Sequence, residues 1–210
     1  MITLMLAAAA SLPTAIDAER AFAADARRIG QWSAFRKYAD TDAVMFVPQA
    51  TWARDFLKGR KDPPQSVRWW PDRSFVSCDG RTAVNTGPAT TADGKPYGTF
   101  TTVWLRDGRK WSWVYDNGGP LAALPPRRAK PQTMRASCRG KAPGAPVTAP
   151  PALTAKQART TPEDNGRGYS ADKSLGWEWR VEKNGDHLFR VYEWTGSRYA
   201  QVLYNSVPAK

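Results

Sequence analysis

Histidine is almost missing from this 210-residue chain, with His187 its one example, and there are only two cysteines, Cys78 and Cys138. That excludes a Cys/His zinc site, a His-based metal triad and a haem-attachment motif. A Ser-His-Asp triad has only His187 to draw on, and that residue, beside an Asn-Gly turn, reads as an exposed turn position. No apolar run reaches the roughly 20 residues that span a bilayer, so no transmembrane segment is expected. Acidic residues are missing from one long stretch. Between 120 and 160 stand Arg127, Arg128, Lys130, Arg135, Arg139, Lys141, Lys156 and Arg159, with no Asp or Glu.

What is there begins with charge. The net charge is +12, and most of the excess sits in that proline-rich stretch. Residues 120–160 read as an extended, self-repelling connector. A polyanion tether is the alternative, for anionic envelope partners, but no aromatic residues interleave the charges as a nucleic-acid stacking platform requires. No specific nucleic-acid partner is expected. Ten tryptophans argue for a folded chain, since disordered chains are poor in aromatics.

The first residues include the apolar, alanine-rich run Ile2 to Ala10, with Ala8-x-Ala10 placed as for signal-peptidase cleavage. Residues 1–13 read as a secretory signal, although no Lys or Arg precedes the run. A periplasmic or secreted protein is expected, and an even cysteine count suits an oxidising compartment. A Cys78–Cys138 bridge would staple the connector to the first domain; two unrelated thiols are the alternative.

Thr14-Ala15-Ile16-Asp17 has the form of a helix start. Ala15, Ala18, Phe22, Ala26 and Ile29 recur at helical spacing and Gly30 supplies a stop. A second short helix carries Trp32 and Phe35 inward, and residues 43–47 read as a buried strand. Strands follow at 74–78 and 82–87. Residues 97–106 and 110–116 flank Asp107-Gly108, a hairpin signal. In the second of these, Trp111, Trp113 and Tyr115 alternate to one face and Asp116 to the other. After the connector, residues 161–210 read as a three-stranded antiparallel extension packed on the first domain. The expected fold class is α+β, with N-terminal helices packed on a curved antiparallel sheet.

Residues 14–119 resemble the nuclear transport factor 2-like (SnoaL-like, cystatin-like α+β cone) superfamily, in particular its branch of unknown function numbered 4440. Several stretches in order carry the resemblance: Asp17 to Phe22, Gly30-Gln31-Trp32 through Asp40, Phe75 to Gly80, Thr86-Gly87-Pro88, Tyr97 to Phe100 with Val103-Trp104, and Gly108-x-x-Trp111-x-Trp113-Val114-x-Asp116. The resemblance implies a long helix lying across a curved sheet, with a pocket between them used for isomerisation, cyclisation, dehydration or plain binding. Isomerase-type members carry a carboxylate base where this chain has Phe46 or Val47, and a tyrosine near Phe22 or Ala23. These departures remove that chemistry and keep the pocket apolar.

The reading that follows is an exported small-molecule-binding or interaction module. Its ligand pocket is expected to use Phe22, Trp32, Phe46, Trp104, Trp113 and Asp116, and to take a small apolar or aromatic molecule. No metal site and no cofactor is implied. The alternative is an enzyme using Asp116 or Asp40 as acid or base; Asp116 could equally bond the Asn117-Gly118-Gly119 backbone. Trp69-Trp70-Pro71 reads as a packed loop or a partner contact, and a homodimer is left open.

Overall fold

The computed structural model describes residues 11–144 and 164–209. The N-terminal apolar run, residues 145–163 with the end of the connector, and Lys210 lie outside them. Helix α1 (Ala15–Ile29) opens on a capping box, with the Thr14 hydroxyl accepting from the Asp17 N–H and the Asp17 carboxylate accepting from the Thr14 N–H. It ends at Gly30, whose φ is 103°. Its buried stripe is Ala15, Ala18, Glu19, Phe22, Ala23 and Ala26, while Ile29 is exposed. α2 (Gln31–Tyr38) follows directly, and a short α3 (Ala53–Leu57) completes the helices.

The first sheet holds β1 (Ala39–Phe46), β2 (Ala50–Trp52), β3 (Arg68–Trp69), β4 (Arg73–Val76), β5 (Thr82–Thr90), β6 (Pro96–Asp107), β7 (Lys110–Asn117) and β8 (Gln132–Arg135). Its order is β2-β1-β7-β6-β5-β4-β8, with β3 paired to β5. It is mixed rather than antiparallel, because β1 pairs β7 and β8 pairs β4 in parallel. A second sheet, β12-β11-β10-β9, comprises β9 (Asn165–Tyr169), β10 (Leu175–Val181), β11 (His187–Trp194) and β12 (Tyr199–Val207).

The expected α+β cone is therefore corrected. The described chain is 44% strand and 16% helix, with a large mixed sheet and a separate four-stranded one. The parallel pairing of β1 with β7 and two unexpected short strands account for the difference. Residues 132–135, expected as free connector, form β8 against β4, and Asn165–Tyr169 adds a fourth strand to the expected three. Both are short; β8 depends on a partner distant in sequence, whereas β9 pairs with the adjacent β10 as a hairpin.

Two apolar layers hold the assembly. One lies between the helices and the first sheet, around Phe22, Phe35, Trp69, Trp104, Trp111 and Trp113. The other lies between the sheets, where Val84, Val103 and Tyr115 meet Trp177, Trp179 and Phe189. One irregularity decides which residues enter which layer. Trp104 pairs with Trp113, but Val103 pairs with Tyr115, so β7 carries one extra residue, Val114. A bulge of this kind reverses the alternation beyond it. Tyr115 consequently packs between the sheets, stacked on Phe189 with centroids 4.5 Å apart. Asp116 turns to the helix side, on the same face as Trp113 and opposite to the expectation from strict alternation.

Cys78 and Cys138 form a disulfide, with Cα atoms 5.2 Å apart. It joins the β4–β5 turn to the segment just after β8. That segment is tied onward to the second sheet, where the Ser137 N–H donates to the Trp194 carbonyl (2.7 Å) and Trp194 Nε1 to the Arg139 carbonyl (2.7 Å). The bridge spans a sequence separation of 60 residues. On the chain-entropy model a closure of that size contributes roughly 4 kcal/mol. The paired variant Cys78→Ser/Cys138→Ser is expected to lose about 2–4 kcal/mol of unfolding free energy in urea followed by tryptophan fluorescence. An unchanged midpoint and slope would contradict a stapling role.

Candidate functional site

A polar row crosses the helix-facing side of the first sheet. Asn85 on β5 is the register partner of Thr102 on β6, and Thr102 of Asp116 on β7. Met45 on β1 continues the row beyond Asp116. Residues in register across neighbouring strands share a face, so these side chains meet beneath α1. From above, α1 lowers Glu19 onto the row. Glu19 sits one helical turn after Ala15 and three residues before Phe22, which places it inside the apolar stripe.

Glu19 is fully buried. Its Oε1 accepts from Trp69 Nε1 (2.8 Å), and its Oε2 from Trp104 Nε1 (2.6 Å) and Asn85 Nδ2 (3.2 Å). All three donors are neutral. A carboxyl buried without a cation favours its protonated form. Burial pushes Glu19 up to about 7, against the pull of the three hydrogen bonds and with help from the negative charge of Asp116. Asp116 is likewise pushed to about 7, mainly by burial, against one hydrogen bond from Thr102 Oγ1 to its Oδ2 (2.9 Å). Two acids that oppose each other's ionisation near neutral pH thus lie on one side of the sheet.

Asp116 reaches a cavity of about 460 Å³ between the helices and the end of the sheet. Phe22, Trp32, Phe35, Phe46, Trp69 and Phe100 supply aromatic walls. Ring contacts hold several of them in place, among them Phe22 on Phe35 (4.8 Å between centroids) and Phe22 on Trp69 (4.8 Å). The rim is made where the chain leaving β7 folds back on β6. The Thr99 N–H donates to the Gly119 carbonyl at 2.8 Å. A Cβ on Gly118 would lie 2.4 Å from the Thr99 carbonyl oxygen, and one on Gly98 would lie 2.6 Å from that of Gly119, so the approach requires glycine at both. Val207, Pro208 and Ala209 close another side, which brings the end of the second sheet into the site. Asn205 Nδ2 anchors β12 to β6 through Thr101 Oγ1 (2.7 Å).

Of the residues expected at the pocket, the structure brings Phe22, Trp32, Phe46 and Asp116 to the cavity. Trp104 and Trp113 are fully buried and do not line it. Asp116 makes no bond to the glycine turn; Asn117 Oδ1 accepts from the Gly118 N–H instead (2.8 Å). Asp40 is half-buried at the start of β1, accepts from Thr41 Oγ1 and the Asp42 N–H, and does not line the cavity. His187 is buried rather than exposed, with its ring 4.3 Å from that of Phe46. Burial holds its pKa below the usual histidine range, with the Asp186 charge opposing. Trp69 serves Glu19, while Trp70 is half-buried beneath the Arg127 guanidinium, 5.0 Å from the ring centroid. No group of three His, Cys, Asp or Glu residues suited to a metal ion occurs among the described residues.

Sequence reasoning missed Glu19, Trp69 as its donor, and the C-terminal rim. For Glu19 the signal was present, since it shares the spacing of Ala15, Phe22 and Ala26. Both acids titrate higher in the folded chain than in the unfolded one. The stability this confers is fully present below the ordinary glutamate value of 4.5 and is lost as pH rises toward about 7. Glu19→Gln cannot ionise and escapes that loss. Its deficit relative to the wild type is expected to shrink by about 2 kcal/mol between pH 5 and pH 8 in urea unfolding. A deficit independent of pH would contradict the assignment.

Among known proteins, no family model matches this chain and no curated protein does. A solved structure from Novosphingobium aromaticivorans, described as a "putative aromatic ring hydroxylase", shares 15% identity over 50% of this chain and 85% of that chain, with a TM-score of 0.36. Similarity of that extent carries no argument about fold or activity.

Proposed function

We propose that this chain is an exported binding protein whose cavity takes a small, largely apolar aromatic molecule, with Asp116 as its charged anchor. The observation that carries this reading is the cavity itself: about 460 Å³, aromatic walls, and one carboxyl reaching in. That combination is the usual make-up of a small-molecule site, apolar surface for affinity and a few polar groups for orientation. The Cys78–Cys138 bridge supports a place outside the reducing cytosol. Among the described residues no helix is long and apolar enough to cross a membrane.

A second reading, an enzyme on the same site, is favoured by one observation. Asp116, which reaches the cavity, is pushed to about 7, where a carboxyl is suited to acid–base work at neutral pH. Asp40 has no part in either reading, because it stands apart from the cavity lining. The basic connector is weaker as a tether than its charge suggests. Arg128 pairs with Asp72 (3.1 Å), Arg127 covers Trp70, and Arg135 donates to the Cys78 carbonyl (2.9 Å), so its described part is held to the body.

The test uses fluorine NMR with 4-fluorophenethylamine and 4-fluorophenethyl alcohol as probes. Saturable binding of at least one probe to the wild type is expected, together with a loss of about tenfold or more in Met45→Trp, which fills the cavity beside Asp116. No binding, or binding unaffected in a folded Met45→Trp protein, would overturn the proposal.

A further inference from the structure

The charge around the cavity runs against the charge of the chain. The protein carries 31 Lys and Arg residues and a net charge of +12, yet no Lys, Arg or His is among the described residues that line the cavity. Asp116 is the one carboxylate among them. Several acceptor atoms among the other lining groups already have partners within the fold. Gln31 Oε1 accepts from the Val67 N–H (3.1 Å), Thr99 Oγ1 from the Gly119 N–H (3.2 Å), and Asn117 Oδ1 from the Gly118 N–H. Asp116 Oδ2 accepts from Thr102, but Oδ1 receives no hydrogen bond among the described residues. A vacant carboxylate oxygen in a cavity with aromatic walls offers a cation two kinds of partner, the formal charge and the faces of the rings.

Resting on the binding reading, we propose that the ligand is an organic cation: an aromatic or alkyl ammonium whose charged head sits against Asp116 Oδ1 and the faces of the aromatic walls. A carboxylate or phosphate ligand would meet negative charge with no guanidinium or ammonium to compensate. A neutral ligand could donate a hydrogen bond to Oδ1 but would leave the carboxylate charge uncompensated. Glu19 strengthens the case from behind. It lies close enough for its charge to oppose that of Asp116, so a bound cation stabilises the ionised form of both. The other titratable groups near Asp116 are Tyr115 on its own strand, Tyr97 at the rim, and His187 behind Phe46 from β11. Burial raises Tyr115, so it adds no competing anion, and lowers His187, which disfavours a competing cation there.

The two probes named above are near-isosteres, differing in an ammonium or a hydroxyl, so they separate this inference from the reading it rests on. At pH 8 the amine is expected to bind the full-length protein about tenfold or more tightly than the alcohol, with the advantage falling toward unity at pH 5 as the two carboxyls take up protons. Asp116→Asn is expected to abolish the advantage of the amine over the alcohol. Because that variant could fold poorly, a second measurement uses the wild type alone. 4-Fluorobenzyltrimethylammonium, which cannot lose its charge, is expected to keep the same preference over the alcohol. An alcohol that binds as tightly as both cations at pH 8 would overturn the inference and leave the binding reading standing. Failure of every probe would overturn both.

Discussion

The buried carboxyl of Glu19 is the constraint on which the rest of this structure depends. An unpaired acid in a core costs several kcal/mol, so its surroundings must supply donors. They come from three elements: Trp69 on β3, Asn85 on β5 and Trp104 on β6. Each donor is aimed by its own packing, and together they set where α1 lies along the sheet. Asn85 adds a bond to the Ala15 carbonyl (2.9 Å), which fixes the first turn of the helix as well. Apolar contacts alone would allow α1 to slide, whereas directed bonds to a single carboxyl do not.

The cavity follows from the same placement. With α1 pinned by Glu19, Phe22 lies one turn further on, against Phe35, Trp69 and Trp104. The aromatic layer closes fully around Trp104 and Trp113 and opens beyond them, where β6 and β7 run on past the helices. The bulge at Val114 then delivers Asp116 to that opening and sends Tyr115 to the second sheet. One inserted residue therefore serves both layers. It supplies an aromatic to the inter-sheet core and a carboxyl to the cavity. The second sheet contributes in turn, since the chain leaving β12 forms part of the rim.

Much of this was legible in the sequence, and the failures have physical causes. The capping box of α1, the Asp107-Gly108 hairpin and the strands at 74–78 and 82–87 are local signals, set by neighbours a few residues apart. β8 was not legible: Gln132–Arg135 lies in a basic, proline-rich stretch, and its strand exists only because β4 offers a free edge some 60 residues away in sequence, close to the separation of the disulfide that secures it. The α+β expectation failed for the same reason at β8 and at the parallel pairing of β1 with β7, whereas β9 pairs locally with β10 through a glycine-rich segment that carries no apolar alternation. Phe22, Trp32, Phe46 and Asp116 were identifiable as candidates from residue type and position, but Asp116 reaches the cavity by a bulge that alternation does not foresee. Trp104 and Trp113 looked like pocket wall because tryptophans serve both roles; the cover of α1 and α2 makes them core.

The central claim is that Asp116 and Glu19 form a mutually opposed pair of carboxyls at a site that receives positive charge. Carbon-13 NMR of the labelled side-chain carboxyls, followed from pH 3 to pH 9 with and without bound 4-fluorophenethylamine, tests it most directly. The account predicts two carboxyls titrating near 7 in the free protein, both moving to lower pH when the amine is bound. Titration of both groups in the ordinary carboxylate range, or midpoints unmoved by a saturating amine, would contradict it.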